Sequence, residues 1–364
     1  MNKITTLLAS LLLAMPLMAQ TTQKLSANKT NEFGLMYTLP LTAVDVTVEV
    51  ERTVKTPGEY FRYAKKYLSI DPITEKSEQW KIKRVIINPA SVPDASQRYL
   101  VQFKSGSTPY MIIDENNFPL TLNTEDVYRP AVNPLPEAVE AKPTILQTPA
   151  AAKAMTEEML QSPSSVKRAE LAAARIFELR QNRTEVVSGQ AEQMPSDGTA
   201  MQLALSTLNE QEEALTAMFA GTEQVSTEVA TFRFLPDSLD SQRAVIARLS
   251  PVAGLVDSDD LSGAPIYIDL KVTERGQLPV NEKGEVKRFP KGGFAYRVPG
   301  MASVAVSFDG RTMAKSSIPL AQAGVVFGLE PNLFTDKKAP ASAILNPLTG
   351  AIIELGTAAV PSAK

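Results

Sequence analysis

The spacing of apolar positions along this chain changes period more than once, and each change predicts an element. Val44, Val46, Val48 and Val50 alternate with Asp45, Thr47, Glu49 and Glu51, which places every valine on one face of a half-buried strand. Shorter runs predict further strands over Phe33 to Pro40, Trp80 to Ile87, Arg98 to Lys104, Tyr110 to Asp114 and Phe118 to Leu122, with turn chemistry at Glu115-Asn116-Asn117. After Pro57-Gly58 the period becomes helical: Tyr60, Ala64, Tyr63, Tyr67 and Leu68 predict a short helix ending near Ile70. Its tyrosines are expected to pack against the adjacent sheet, with sugar binding as the alternative.

The longest helical period lies in the middle of the chain. From Val166 to about Arg183, Ala169, Ala172, Ala173, Ile176 and Phe177 recur at threes and fours between charged residues. Met201, Leu205, Leu208, Glu212, Leu215 and Phe219 form a second stripe, one of whose members is a carboxylate. Pro195 stops a helix, Ser196 or Asp197 can cap the next, and Gly221 suits its C-terminal end. The two runs predict an antiparallel helical hairpin over 164–221. Upstream, 129–163 is rich in Pro and Ala without core periodicity and reads as a semi-extended linker, its part from Ala151 to Leu160 being a candidate short helix. Downstream, short apolar runs between Val225 and Leu355, with turn signals at Asp309-Gly310 and Thr349-Gly350, predict a β-sandwich-like unit. The fold class expected is α+β, mainly β, with two β-rich domains (20–128 and 222–356) flanking a central antiparallel helical hairpin, a polar arm from Gln20 to about Asn31, and a tail over 357–364.

Arg175-Ile176-Phe177-Glu178-Leu179-Arg180, Gly189, Met194-Pro195-Ser196-Asp197-Gly198, Glu210-Gln211-Glu212 and Leu215-Thr216-Ala217-Met218-Phe219-Ala220-Gly221 resemble the central pattern of a family of secreted proteins from gut Gram-negative bacteria. It is catalogued as domain of unknown function forty-eight thirty-one. Phe33-Gly34-Leu35-Met36-Tyr37-Thr38-Leu39-Pro40 and Asn346-Pro347-Leu348-Thr349-Gly350 extend the likeness to most of the mature chain. The resemblance implies an exported protein and carries no assigned activity.

Composition narrows the chemistry. Lys3, the apolar run from Ile4 to Met15 and Leu17-Met18-Ala19 before Gln20 read as a cleavable export signal over 1–19, too short for a membrane span. The periplasm or cell envelope is the expected compartment. The formal charge of −3 becomes −4 once Lys3 leaves with the leader, so there is no basic field for nucleic acid. Cysteine is absent, which excludes disulfides, thiol catalysis and a lipidated cysteine. Histidine is absent as well, and with it every Ser–His, Cys–His or His–metal mechanism within this chain.

Carboxylates are what remain. Glu212, inside an apolar stripe and within reach of Arg175, Arg180 and Arg183, is either a general base with a raised pKa or one half of an ion pair that sets the hairpin register. Asp257, Asp259 and Asp260 form either a solvated acidic turn or part of an oxygen-rich calcium loop that lacks the later Glu and Gly of an EF-hand. No other cofactor is predicted. The first reading is a non-enzymatic periplasmic or envelope-associated binding or scaffold protein, its partner another envelope protein or a glycan, without a transmembrane anchor. The alternatives are a carboxylate-dependent glycan hydrolase and a carbohydrate-binding module resting on the single Trp80.

Overall fold

The computed structural model describes residues 20–24, 34–103, 110–237, 240–334 and 340–358. The leader, most of the polar arm and residues 359–364 of the tail lie outside the described residues. Mostly antiparallel strands, with few helices, give the α+β, mainly β class read from the sequence.

The valine alternation sits inside strand β2 (Leu35–Thr56), which pairs along nearly its whole length with β3 (Ser77–Phe103). Sequence patterns divided β2 at Pro40, yet the strand runs through it. Proline has no N–H to give, and a register shift between Thr38 and Pro40 accommodates the missing bond. β1 (Gln20–Lys24), from the segment expected to be a flexible arm, pairs with the far edge of β3, Gln20 opposite Phe103. Its Thr and Gln residues carry no apolar alternation, so nothing in the text marked it as a strand.

Among the described residues three sheets are formed. Helix α1 (Ala64–Leu68) lies between β2 and β3; after β4 (Met111–Ile113) and β5 (Pro119–Leu122) the chain runs through α2 (Pro149–Ala154), α3 (Glu157–Gln161), α4 (Ser165–Ser188) and α5 (Gly198–Ala220) before β-structure resumes. β6 (Thr222–Phe234) joins the first sheet, order β1-β3-β2-β6, by pairing with β2 from Val44 opposite Phe234 to Thr56 opposite Thr222. β7 (Ser241–Ser250), β8 (Gly254–Val256), β9 (Ala264–Glu274), β10 (Phe294–Phe308) and β11 (Arg311–Leu329) form the second, order β11-β10-β9-β7-β8. β12 (Ala341–Leu345) and β13 (Ile352–Thr357) complete a third with β5 and β4. The first and third sheets therefore each take strands from both of the β-rich stretches, 20–128 and 222–356.

The sandwich core lies between the first and second sheets. Val44, Val46, Val48 and Val50 are fully buried against Ile266, Ile268 and Leu270 of β9 and Val304 and Val306 of β10. Side chains also stitch the layers: Gln322 donates to the Thr42 carbonyl and accepts from the Thr42 N–H, both at 2.9 Å, replacing a ladder pair where the two sheets meet. A second cluster surrounds Tyr37, whose ring stacks on Tyr99 and Phe294 at 5.4 and 4.8 Å.

The third cluster belongs to the helices. Ala169, Ala172, Ala173, Ile176 and Leu179 of α4 meet Leu215, Met218 and Phe219 of α5, whereas Phe177, expected in the α4 stripe, is 52% exposed and Leu179 takes its place. Ser164 and Asp197 cap the two N-termini, and Gly189 ends α4 at φ 74°. Tyr60 packs on Phe219 with ring centroids 5.4 Å apart, and Tyr63 and Tyr67 lie against the same cluster. The tyrosine stripe thus packs on the hairpin rather than on the sheet. Helix contacts, not sheet contacts, are the nearest apolar surface because the Pro57-Gly58 turn docks on the end of α5: Tyr60 N–H donates to the Met218 carbonyl at 2.7 Å.

Candidate functional site

A cleft of about 820 Å³ opens where three features converge: the C-terminal half of α5, the first residues of edge strand β6, and the linker from Val139 to Ile145. Volumes of roughly 300–1,000 Å³ are usual for clefts that hold ligands. Gly221 makes the corner. Its φ of 87° lets the chain turn from helix into strand, and a Cβ there would meet the Thr56 carbonyl oxygen at 2.5 Å.

Glu212 stands in this cleft with Arg180 and Arg183. Arg180 Nε donates to Glu212 Oε1 at 2.6 Å, and Arg183 Nη1 donates to Oε2 and, at 2.8 Å, to Asn209 Oδ1. The carboxylate is 13% exposed, while the arginines keep 42% and 36% of their side chains in solvent. Phe177 supports the Arg180 guanidinium from 5.6 Å. Arg175 is not part of the group; it pairs with Glu178 one turn along its own helix at 2.6 Å. With both oxygens engaged by guanidinium donors, Glu212 is arranged to fix α4 against α5, which is the ion-pair alternative of the two sequence readings.

The acidic turn lies elsewhere, between β8 and β9. Asp260 accepts from the Ser262 N–H at 2.9 Å, and that backbone bond holds its carboxyl below the usual range. Arg248 donates to the carbonyls of Ser258 and Gly263 at 2.8 and 3.1 Å, so the backbone oxygens a cation would use are spent on a guanidinium. Among the described residues no group of three or more Asp and Glu side chains is placed to hold a metal ion, at Asp257, Asp259 and Asp260 or elsewhere. Trp80 is half-buried, its ring against Gly254 and under Arg52 at 5.4 Å, so most of its surface serves the sandwich core.

Two ionic groups escaped sequence reasoning. Arg297, 5% exposed near the start of β10, donates through Nη2 to Asp94 Oδ2, while Asp94 Oδ1 accepts from the Ser96 N–H and hydroxyl at 2.9 and 2.6 Å. Burial pushes the Arg297 guanidinium down, and Asp94 acts against that shift. An arginine between Tyr296 and Val298 in an otherwise apolar strand was the available signal. Glu49, 3% exposed, accepts from Arg84 at 2.9 Å and pairs with Lys83 at 3.1 Å. Burial alone would raise its pKa; the bonds from Lys83 and Arg84 outweigh it and hold the carboxyl below the usual value.

The structure defines an α+β protein, mainly β, with a helical hairpin braced against a sheet edge, and a cleft at their junction. The chain belongs to the family described as a domain of unknown function (DUF4831), whose profile matches residues 33–353. No curated protein and no solved structure matches it. Among the described residues no helix is long and apolar enough to cross a membrane.

Proposed function

We propose that this is an exported, non-enzymatic protein of the periplasm or cell envelope that holds a segment of another macromolecule in the cleft between α5, β6 and the linker. The observation that carries the reading is the state of Glu212. It is the carboxylate of the Arg180–Arg183–Glu212 group, 13% exposed, and its oxygens are committed to two arginines instead of facing a substrate. A general base needs a free lone pair facing the proton it takes, and both oxygens of Glu212 already accept from guanidinium donors. Support for export comes from the leader pattern at 1–19, and support for a non-enzymatic role from a sequence without cysteine or histidine.

Two measurements test this. Mass spectrometry of the protein recovered from a periplasmic fraction is expected to find a product beginning at Gln20; an uncleaved cytosolic product refutes export. Incubation with a panel of polysaccharides is expected to yield no new reducing ends, and turnover that vanishes in Glu212→Gln would overturn the non-enzymatic reading.

A further inference from the structure

Among the described residues the linker backbone pairs with the β6 backbone at one residue. Val139 N–H donates to the Thr227 carbonyl at 3.1 Å, and Thr227 N–H donates to the Val139 carbonyl at 2.8 Å, an isolated antiparallel bridge on the side of β6 that faces away from β2. Hydrogen-bonding direction alternates along a strand, so the backbone groups of Val225 and Glu223 point outward as those of Thr227 do. Continued in the same register, the linker would set Ala141 opposite Val225 and Pro143 opposite Glu223. Proline has no N–H to donate there. The linker instead bows away, tied back by Gln224 Nε2 donating to the Lys142 carbonyl at 2.9 Å, and the gap it leaves is the cleft. The cleft floor is therefore an unzipped stretch of sheet edge, lined by Glu223, Gln224 and Val225 with α5 as its wall.

We infer that the occupant of the cleft is an extended polypeptide segment of another protein, which adds to the first sheet as a strand along the outward edge of β6 at Glu223 and Val225, in continuity with or in place of the Val139 contact. This rests on the proposed binding role of the cleft and specifies its partner class. Main-chain hydrogen bonds supply the affinity in such strand addition, and flanking side chains supply selectivity. Val225, 45% exposed, and the α5 wall at Thr216 and Ala217 are the surfaces such a segment would meet. The chain's own linker shows that the edge accepts a backbone bridge at Thr227, and a proline at 143 has no N–H with which to extend it.

The probe is a fluorescein-labelled synthetic peptide copying residues 135–144 with Pro143→Thr, read by anisotropy against the full-length protein. Proline is tolerated on an edge strand where its nitrogen faces outward, so Val225→Pro removes the outward donor while leaving the β2 ladder intact; an unchanged melting temperature checks this. The peptide is expected to bind the wild-type protein, roughly tenfold more weakly to Val225→Pro, and more tightly to Val139→Pro, whose own linker no longer competes. Thr216→Trp, which fills the cleft, is expected to abolish binding. Binding lost in Thr216→Trp but unchanged in Val225→Pro overturns strand addition and leaves the cleft as a ligand site. Binding unchanged in both variants overturns the role of the cleft as well, and no binding to the wild-type protein overturns strand addition.

Discussion

At the scale of single residues, the two ion-pair groups differ in what surrounds them, and that sets what their loss costs. Asp94 and Arg297 are both buried, so Asp94→Ala strands a guanidinium in the interior; breaking such a pair costs about 3–5 kcal/mol. Urea denaturation should show this loss, and Asp94→Ala combined with Arg297→Met should recover much of it. Equal stability of single and double variants would refute the pairing. Glu212 holds arginines that remain partly solvated, so Glu212→Ala is expected to cost only about 1–2 kcal/mol. Tyr99 titrates in the opposite sense to the acids: burial pushes its phenol up to about 12. The unfolded chain sheds that proton near pH ~10, so the native state holds it where the unfolded state does not. Stability is full below pH ~10 and declines as pH rises toward about 12. Tyr99→Phe should reduce that alkaline slope; Tyr37, also pushed up by burial, keeps the rest. For Glu49 the sign reverses. Its folded pKa lies below the unfolded one, so its contribution is present above the usual carboxylate range and fades as pH falls through the depressed value, and Glu49→Gln should flatten the acid limb of a stability profile.

At the scale of elements, one unforgiving joint is the turn at Pro57-Gly58. A Cβ on Gly58 would stand 2.3 Å from the Met218 carbonyl oxygen, backbone that cannot swing aside. Gly58→Ala is therefore expected to cost about 1–3 kcal/mol through displaced packing of α5, read as a lowered melting temperature; an unchanged one would show that the turn is not docked. The same joint explains what was legible from sequence. The hairpin was visible because its stripe, Leu208, Leu215 and Phe219, obeys one local period and its caps are local too. Glu212 was visible for the same reason, as the member of that stripe that breaks it. The tyrosine stripe was seen as a helix face, but its partner was misplaced, since the 3.6-residue period tells which face is buried and not against what. β1 was hidden because an edge strand can be held by its ladder alone. The cleft was not legible at all: it opens beside the Val139–Thr227 bridge, between residues far apart in the chain that meet only once β6 has paired with β2.

At the scale of the whole molecule, the order of strands in the first sheet decides how the chain can be divided. Cutting after Gly221 would separate β6 from β2 and remove the layer that covers Val44, Val46, Val48 and Val50, each of whose burial is worth roughly 1.5–3 kcal/mol. The complementary piece would carry β9, β10 and β11 without the sheet they pack against, and β12 without β5. Neither piece retains both walls of the sandwich. Residues 20–221 and 222–358 expressed separately are each expected to lack a cooperative thermal transition and near-ultraviolet circular dichroism, and mixing them is expected to restore both signals. A cooperative transition in 222–358 alone would mean that the second sheet closes a core by itself, and that the shared sheet joins two units able to fold apart. The cleft would then lie at a boundary between such units, because its floor, β6, would travel with one and its helical wall, α5, with the other.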